Sequence, residues 1–320
     1  VPLQGFRKFR KMKYAIIGTG AVGGFYGGKL ANAGKEVHFL MHSDYEYVQK
    51  NGLQIDSCDG SFHIDNPHVY NNTNEMPKAD VVIVALKTTR NHLLSQLLPP
   101  LLHKETLVLL IQNGIGPEPE LQKHFPDLYL AAGLAFICSA KTEPGRVNHQ
   151  CYGSINIGNY SCKNEAVFDE LIADFIEAGI QTARIEYEEA RWKKAVWNMP
   201  FNGMTVVMNA QTNQLLSNPS TMQLIRRQML EVIGAAQALG VKNIDESFAD
   251  KMIQNTLEMT PYSPSMKLDY DFHRPMEIEY LYSRAIAEAH KVGYAMPCLE
   301  MLEAQLTFLQ EKNLQERSKQ

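Results

Sequence analysis

A glycine-rich turn set between an apolar run and a helical stretch constrains this chain more than any other feature. Tyr14-Ala15-Ile16-Ile17 leads into Gly18-Thr19-Gly20-Ala21-Val22-Gly23-Gly24, and residues 25–33 carry helical character. A strand, a tight turn and a helix in that order aim backbone N–H groups and a helix N-terminus at one point, where a pyrophosphate can sit. Gly18 permits the sharp turn, Gly20 lets the backbone approach a diphosphate, and Gly23 lets the helix pack against the strand. Gly18, Thr19, Gly20, Ala21, Val22 and Gly23 are therefore the expected cofactor cradle.

The texture on either side of residue 188 differs. Before it, apolar runs at 36–40, 81–86, 107–111 and 129–136 alternate with helical stretches at 24–34, 91–98 and 118–124. Continuous runs such as Val81-Val82-Ile83-Val84 suit strands buried on both faces of a parallel sheet. Residues 53–55, 61–64 and 68–70 read as short edge strands, 146–149 and 154–157 as a late antiparallel pair, and 165–178 as a helix. After residue 188 helical periodicity takes over. Asn218-Pro219 starts a helix that Gly240 stops, a second runs over 245–259, residues 260–265 form a loop, and Pro275 and Pro297 open the last two helices. The expected architecture is α/β: a Rossmann-type, doubly wound dinucleotide-binding domain over 12–187, then an all-helical substrate and catalytic domain over 188–320. Met12 reads as the natural start, so residues 1–11 are expected to be dispensable.

Net charge is −4 over 320 residues, which gives no pull toward nucleic acid or an anionic membrane. No apolar run is long enough to span a bilayer. The five cysteines, Cys58, Cys138, Cys151, Cys162 and Cys298, are odd in number and widely spaced, and the ten histidines show no ligand spacing. That pattern fits a reducing, cytoplasmic setting with neither a disulfide framework nor a metal site. The apolar helices of the second half serve equally to pair two chains into a homodimer or to pack one.

In open parallel sheets ligands lie outside the carboxyl ends of the strands. Lys87 follows one such end and reads as a surface lysine or as a group at the ligand edge. Gln112-Asn113-Gly114-Ile115-Gly116 follows another, with Asn113 a turn residue or a ligand contact. The second strand ends in Leu40-Met41-His42-Ser43, without the carboxylate that usually receives the ribose of NAD. His42 and Ser43 can instead bond a 2′-phosphate, which favours NADP(H). Lys194, Asn198 and Asn202 recur every four residues, so one helical stripe carries an ammonium and two carboxamides between Trp192, Val196, Trp197 and Phe201. The stripe is either an exposed polar face or a polar seam in a buried surface. In the second case Lys194 can donate a proton at a pKa lowered by desolvation.

Taken in order, the glycine turn, Ala85-Leu86-Lys87, Gln112 to Gly116, the 192–202 segment, Ser265-Met266 with Asp269, and Glu277-Ile278-Glu279-Tyr280 make the chain resemble ketopantoate reductases from Met12 to about Asn313. The resemblance implies NADPH-dependent reduction of the 2-keto group of ketopantoate to pantoate, toward pantothenate and coenzyme A. It implies Lys194 as general acid, with Asn113 near the nicotinamide and orienting that lysine. Lys87 would line the cofactor site. Asn198 and Asn202 would hold substrate oxygens, Ser265 the substrate's polar end, and Glu277 substrate or ribose hydroxyls. The chain departs from the family pattern at Pro200, which should kink the helix and re-aim Asn202. Two further departures are Tyr262, where an asparagine is frequent, and His42, where an arginine is. Two alternatives stand beside this reading: a reductase for another branched 2-keto acid, and a dinucleotide-binding sensor without turnover.

Overall fold

The apolar runs of the first half become neighbouring strands of a ten-stranded sheet. The structure, a computed structural model, describes residues 11–261 and 263–317; the expected dispensable leader up to residue 10 and the departure at Tyr262 lie outside the described residues. The strands are β1 (Lys13–Ile17), β2 (Glu36–Leu40), β3 (Leu53–Ser57), β4 (Phe62–Ile64), β5 (His68–Tyr70), β6 (Val81–Val84), β7 (Leu107–Leu110), β8 (Tyr129–Glu143), β9 (Arg146–Asn159) and β10 (Thr182–Ile185). The helices among them are α1 (Ala21–Asn32), α2 (Tyr45–Asn51), α3 (Leu94–Leu97), α4 (Pro117–His124) and α5 (Glu165–Glu177). The chain then continues as α6 (Tyr187–Val207), α7 (Thr212–Ser217), α8 (Pro219–Ala238), α9 (Glu246–Glu258), α10 (Ser265–Asp271), α11 (Arg284–Lys291) and α12 (Pro297–Arg317).

Six strands run parallel in the order β5-β2-β1-β6-β7-β8. Read as the first to sixth strands of the winding, this is the 3-2-1-4-5-6 order of dinucleotide-binding sheets, as the alternation of strand and helix implies. β6 and β7 are buried along their whole length, which explains their continuous apolar sequences.

Three expectations are corrected. Residues 146–149 and 154–157 do not pair with each other. Both belong to β9, which runs antiparallel to β8 from Ala131↔Asn159 to Glu143↔Arg146. The break between them is a bulge, with Tyr152 at φ 65° and Gly153 at φ 106°, so the glycine marks a kink in one strand and not a hairpin turn. Residues 53–55 are not at an edge, because β3 lies between β4 and β9. The helix expected from Pro275 begins at Ile278, as a π-helical stretch over Glu279–Ser283 that passes into α11.

The chain forms two compact units. The first takes the chain up to Leu86, then His92–Gln112 and Gln122–Arg184; the second takes Lys87–Asn91, Asn113–Leu121 and the chain from Ile185. In the first unit Tyr14, Ile16, Phe25, Phe39, Phe168 and Phe175 share one core. In the second, Val196, Met199 and Phe201 of α6 pack with Ile225, Met229 and Tyr282. No helix among the described residues is long and apolar enough to cross a membrane.

Candidate functional site

The glycine turn of the first unit has the form a phosphate requires. Gly18 sits at φ 93°, and a Cβ there would lie 2.6 Å from the Leu86 nitrogen; only glycine fits this position. At Gly20 a Cβ would meet no protein atom within 4 Å, so the turn is open on that side. Gly20 caps α1 without a side-chain hydrogen bond, and the first turn of α1 holds no acidic residue. The helix therefore offers its N-terminal N–H groups and positive dipole end uncompensated by side chains, an arrangement suited to a pyrophosphate. Thr19 fixes the turn by donating its hydroxyl to the Leu40 carbonyl at 2.9 Å.

The end of β2 is arranged just as specifically. His42 and Ser43 are exposed, and Ser43 donates to Asp44 at 3.1 Å. Asp44 itself is buried. Burial pushes its carboxyl up, but the Gly145 N–H at 2.9 Å and the Lys141 ammonium at 2.5 Å outweigh this and hold it below the usual carboxylate range. The acid nearest the expected 2′-phosphate site thus turns inward, with its charge met by lysine.

The second unit gathers most of the remaining predicted residues. Lys194 lies on α6, where burial draws its ammonium down to about 7; the Arg191 guanidinium adds to the effect and Glu277 opposes it. Glu277 is buried, and its Oε1 accepts from the Thr88 N–H at 2.8 Å and the Thr88 hydroxyl at 2.7 Å. The preceding residue, Lys87, pairs with the fully buried Asp269 of α10, which Arg274 also meets at 2.9 Å. Two consecutive residues, Lys87 and Thr88, thereby bind α10 and the segment ahead of the π-helical stretch.

Asn198 and Asn202 are both buried on α6. Asn202 donates from Nδ2 to the Asn198 carbonyl at 2.9 Å and accepts at Oδ1 from the Met266 N–H at 3.2 Å. Both its amide atoms are thus engaged within the unit, and it seats the first turn of α10 beside Ser265. One Nδ2 hydrogen remains for another acceptor. Asn113 is half-buried and precedes Gly114, whose φ is 92°. A Cβ at Gly114 would lie 2.3 Å from the Tyr280 carbonyl oxygen, and Ile115 N donates to that same oxygen at 2.8 Å. The loop carrying Asn113 is therefore pinned to the π-helical stretch, a kind of irregularity often found at functional sites.

A family model described as ketopantoate reductase PanE/ApbA matches residues 14–161, and its C-terminal counterpart matches residues 186–310. The chain belongs to the ketopantoate reductase family. A 2-dehydropantoate 2-reductase from Nostoc is 44% identical over 94% of this chain and 96% of its own length. The crystal structure of 2-dehydropantoate 2-reductase from Geobacter metallireducens superposes with a TM-score of 0.89 at 36% identity, over 94% of this chain and 99% of that one. That of the Methylococcus capsulatus enzyme does so with a TM-score of 0.87 at 33% identity, over 94% and 98%. This ketopantoate reductase family member is accordingly an oxidoreductase.

Sequence reasoning assigned no role to several groups that shape the family member's second unit. Arg191 and Glu118 form an ion pair with both side chains almost fully buried, and Arg191 also donates to the Gly114 carbonyl at 3.4 Å. Thr88 anchors Glu277. Asp269 lay in a motif that carried the resemblance, but its partner Lys87 is 182 residues away, a pairing that no local pattern announces.

Proposed function

We propose that this chain reduces the 2-keto group of ketopantoate to pantoate with NADPH, and that Lys194 delivers the proton. The observation that carries the reading is an ammonium drawn down to about 7 on the same unit as Glu277, Asn198 and Ser265. Reduction at C2 places negative charge on the former carbonyl oxygen. A nearby ammonium stabilises that charge and then gives up its proton. A lysine of ordinary pKa would be a reluctant donor; one near neutrality both donates and recovers its proton from water. The chemistry that a bound nicotinamide supplies is the hydride.

The chain's own residues do the rest. The open turn at Gly18 to Gly23 suits the pyrophosphate. His42 and Ser43, with Asp44 drawn inward, leave the end of β2 free of exposed acid, which favours a 2′-phosphate and hence NADP(H). Asn198 and the spare Nδ2 hydrogen of Asn202 suit keto and hydroxyl oxygens. Glu277, with Oε1 occupied by Thr88, keeps Oε2 for a hydroxyl.

The test mixes the full chain with ketopantoate and either NADPH or NADH, following reduced-nicotinamide absorbance and pantoate by mass spectrometry. Oxidation of NADPH in preference to NADH, matched by equal pantoate, is the expected result. Turnover only with a different branched 2-keto acid would replace the substrate. Cofactor binding without turnover on any 2-keto acid would make the chain a sensor.

A further inference from the structure

Cys58, Asp59 and His149 converge in the first unit, far along the chain from the glycine turn. Their sulfur, carboxylate and imidazole atoms all lie within 4.8 Å of one another. Cys58 Sγ is 3.8 Å from His149 Nδ1 and 3.7 Å from an Asp59 oxygen, and the other Asp59 oxygen is 4.0 Å from Nδ1. Around a tetrahedral zinc, with Zn–S about 2.3 Å and Zn–N or Zn–O about 2.0–2.1 Å, the ligand–ligand edges would be about 3.3–3.6 Å. The two short Asp59 contacts use different oxygens, so bringing one oxygen, Nδ1 and Sγ onto a cation draws edges of up to 4.8 Å in by as much as about 1.5 Å, a movement open to the exposed Cys58 and Asp59 side chains. We infer that Cys58, Asp59 and His149 form a binding site for a borderline-soft divalent cation, with zinc the best match and the fourth position open to water.

Three features make this a built site and not a chance meeting of polar groups. The fold brings the ligands together: Ser57, next to Cys58, is in register with His149 across the β3–β9 ladder. The imidazole is oriented, since Nε2 lies 3.1 Å from the Tyr152 carbonyl oxygen; a donated Nε2–H leaves the Nδ1 lone pair turned toward Cys58 and Asp59. Metal-ligating histidines are usually fixed by such a bond from the second ring nitrogen. Tyr152 also adopts φ 65° and is followed by Gly153, where a Cβ would lie 3.1 Å from Nε2. The left-handed bulge therefore brings the carbonyl against the ring, at a backbone cost that a functional role would explain. The Ser57 hydroxyl, 2.8 Å from Nδ1, is the group a cation displaces, and it can rotate away. Cys58 and Asp59 are exposed, which leaves the site accessible from solvent. A thiolate, an imidazole and one carboxylate select zinc or cobalt over magnesium or calcium. Reading along the sequence predicted no metal site because His149 stands 91 residues from Cys58.

The experiment titrates the metal-free full chain, kept reduced with a phosphine, first with Co²⁺ and then with Zn²⁺ in competition. One equivalent of cobalt should bind with tetrahedral visible bands and a thiolate charge-transfer band, and zinc should displace it. Cys58 and Asp59 are exposed, so Cys58→Ser and Asp59→Asn should fold. Cys58→Ser should abolish the charge-transfer band. Each variant should lower affinity by at least about tenfold, the scale of losses at metal sites when supporting groups are removed. Cys298→Ser should bind as the parent does. Absence of saturable binding, or an undiminished charge-transfer band in Cys58→Ser, would overturn the assignment.

Discussion

Lys194 is set to lose its proton in the range where a reductase works. An ordinary lysine stays charged well into alkaline solution; this one is drawn to about 7 by burial and by Arg191, against the pull of Glu277. The donor form therefore predominates below about 7 and is lost as pH rises through it. For keto-acid reduction kcat/KM, which reports the free enzyme, should fall on the alkaline side of this value. Lys194→Ala should lower turnover by about 10²–10⁴-fold and flatten that limb. A parent profile that stays level across the alkaline range would remove Lys194 from the acid role. Glu277→Gln gives a sharper test. Its amide oxygen can still accept from the Thr88 N–H and hydroxyl, so the local structure persists while the negative charge is gone. Without that charge the Lys194 pKa drops further, and the break in the profile should move to lower pH. An unmoved break would show that Glu277 does not influence the donor.

At the level of elements, α6 shows what the sequence disclosed and what it withheld. The four-residue spacing of Lys194, Asn198 and Asn202 was legible, because helix geometry alone puts them on one stripe. That Asn202 is committed to Met266 was not, since its partner lies 64 residues away. The same division runs through the sheet. β6 and β7 declare themselves by unbroken apolar sequence, whereas β9 reads as two strands because Tyr152 and Gly153 mimic a turn. At Pro275 the ring matched a helix start, yet the helix begins three residues later with a π-helical stretch. Tyr280 in that stretch gives its carbonyl to Ile115, a tertiary bond that overrides local preference. The Asn202 bond can be weighed directly. Asn202→Ala strands the buried Met266 N–H, which should cost about 1–3 kcal/mol in chemical denaturation. Because α10 carries Ser265, KM for the keto acid should rise in parallel. A variant within about 0.5 kcal/mol of the parent, the range of neutral surface changes, would show that α10 is held by other contacts.

On the scale of the whole molecule, the helical part is not a self-contained C-terminal piece. Its compact unit borrows Lys87–Asn91 and Asn113–Leu121, and these carry the partners of its buried charges. Arg191 is 3% exposed and pairs with Glu118 at 0%; Asp269, fully buried, pairs with Lys87; Glu277 takes its hydrogen bonds from Thr88. A fragment of residues 186–320 would keep the apolar core of α6, α8 and α12. It would also bury the Arg191 guanidinium without Glu118 and the Glu277 carboxylate without Thr88, and leave Asp269 with Arg274 alone. Breaking one buried pair typically costs about 3–5 kcal/mol, a large share of the roughly 5–15 kcal/mol that holds a domain together. The fragment should therefore show helical circular dichroism without a cooperative thermal transition, while the full chain melts cooperatively. Glu118→Gln in the full chain isolates one part of the effect: it keeps the shape, removes the counter-charge of Arg191, and should lower the denaturation midpoint markedly. A fragment that melts as sharply as the full chain would mean that the borrowed segments are decoration and that the helical core alone pays for folding.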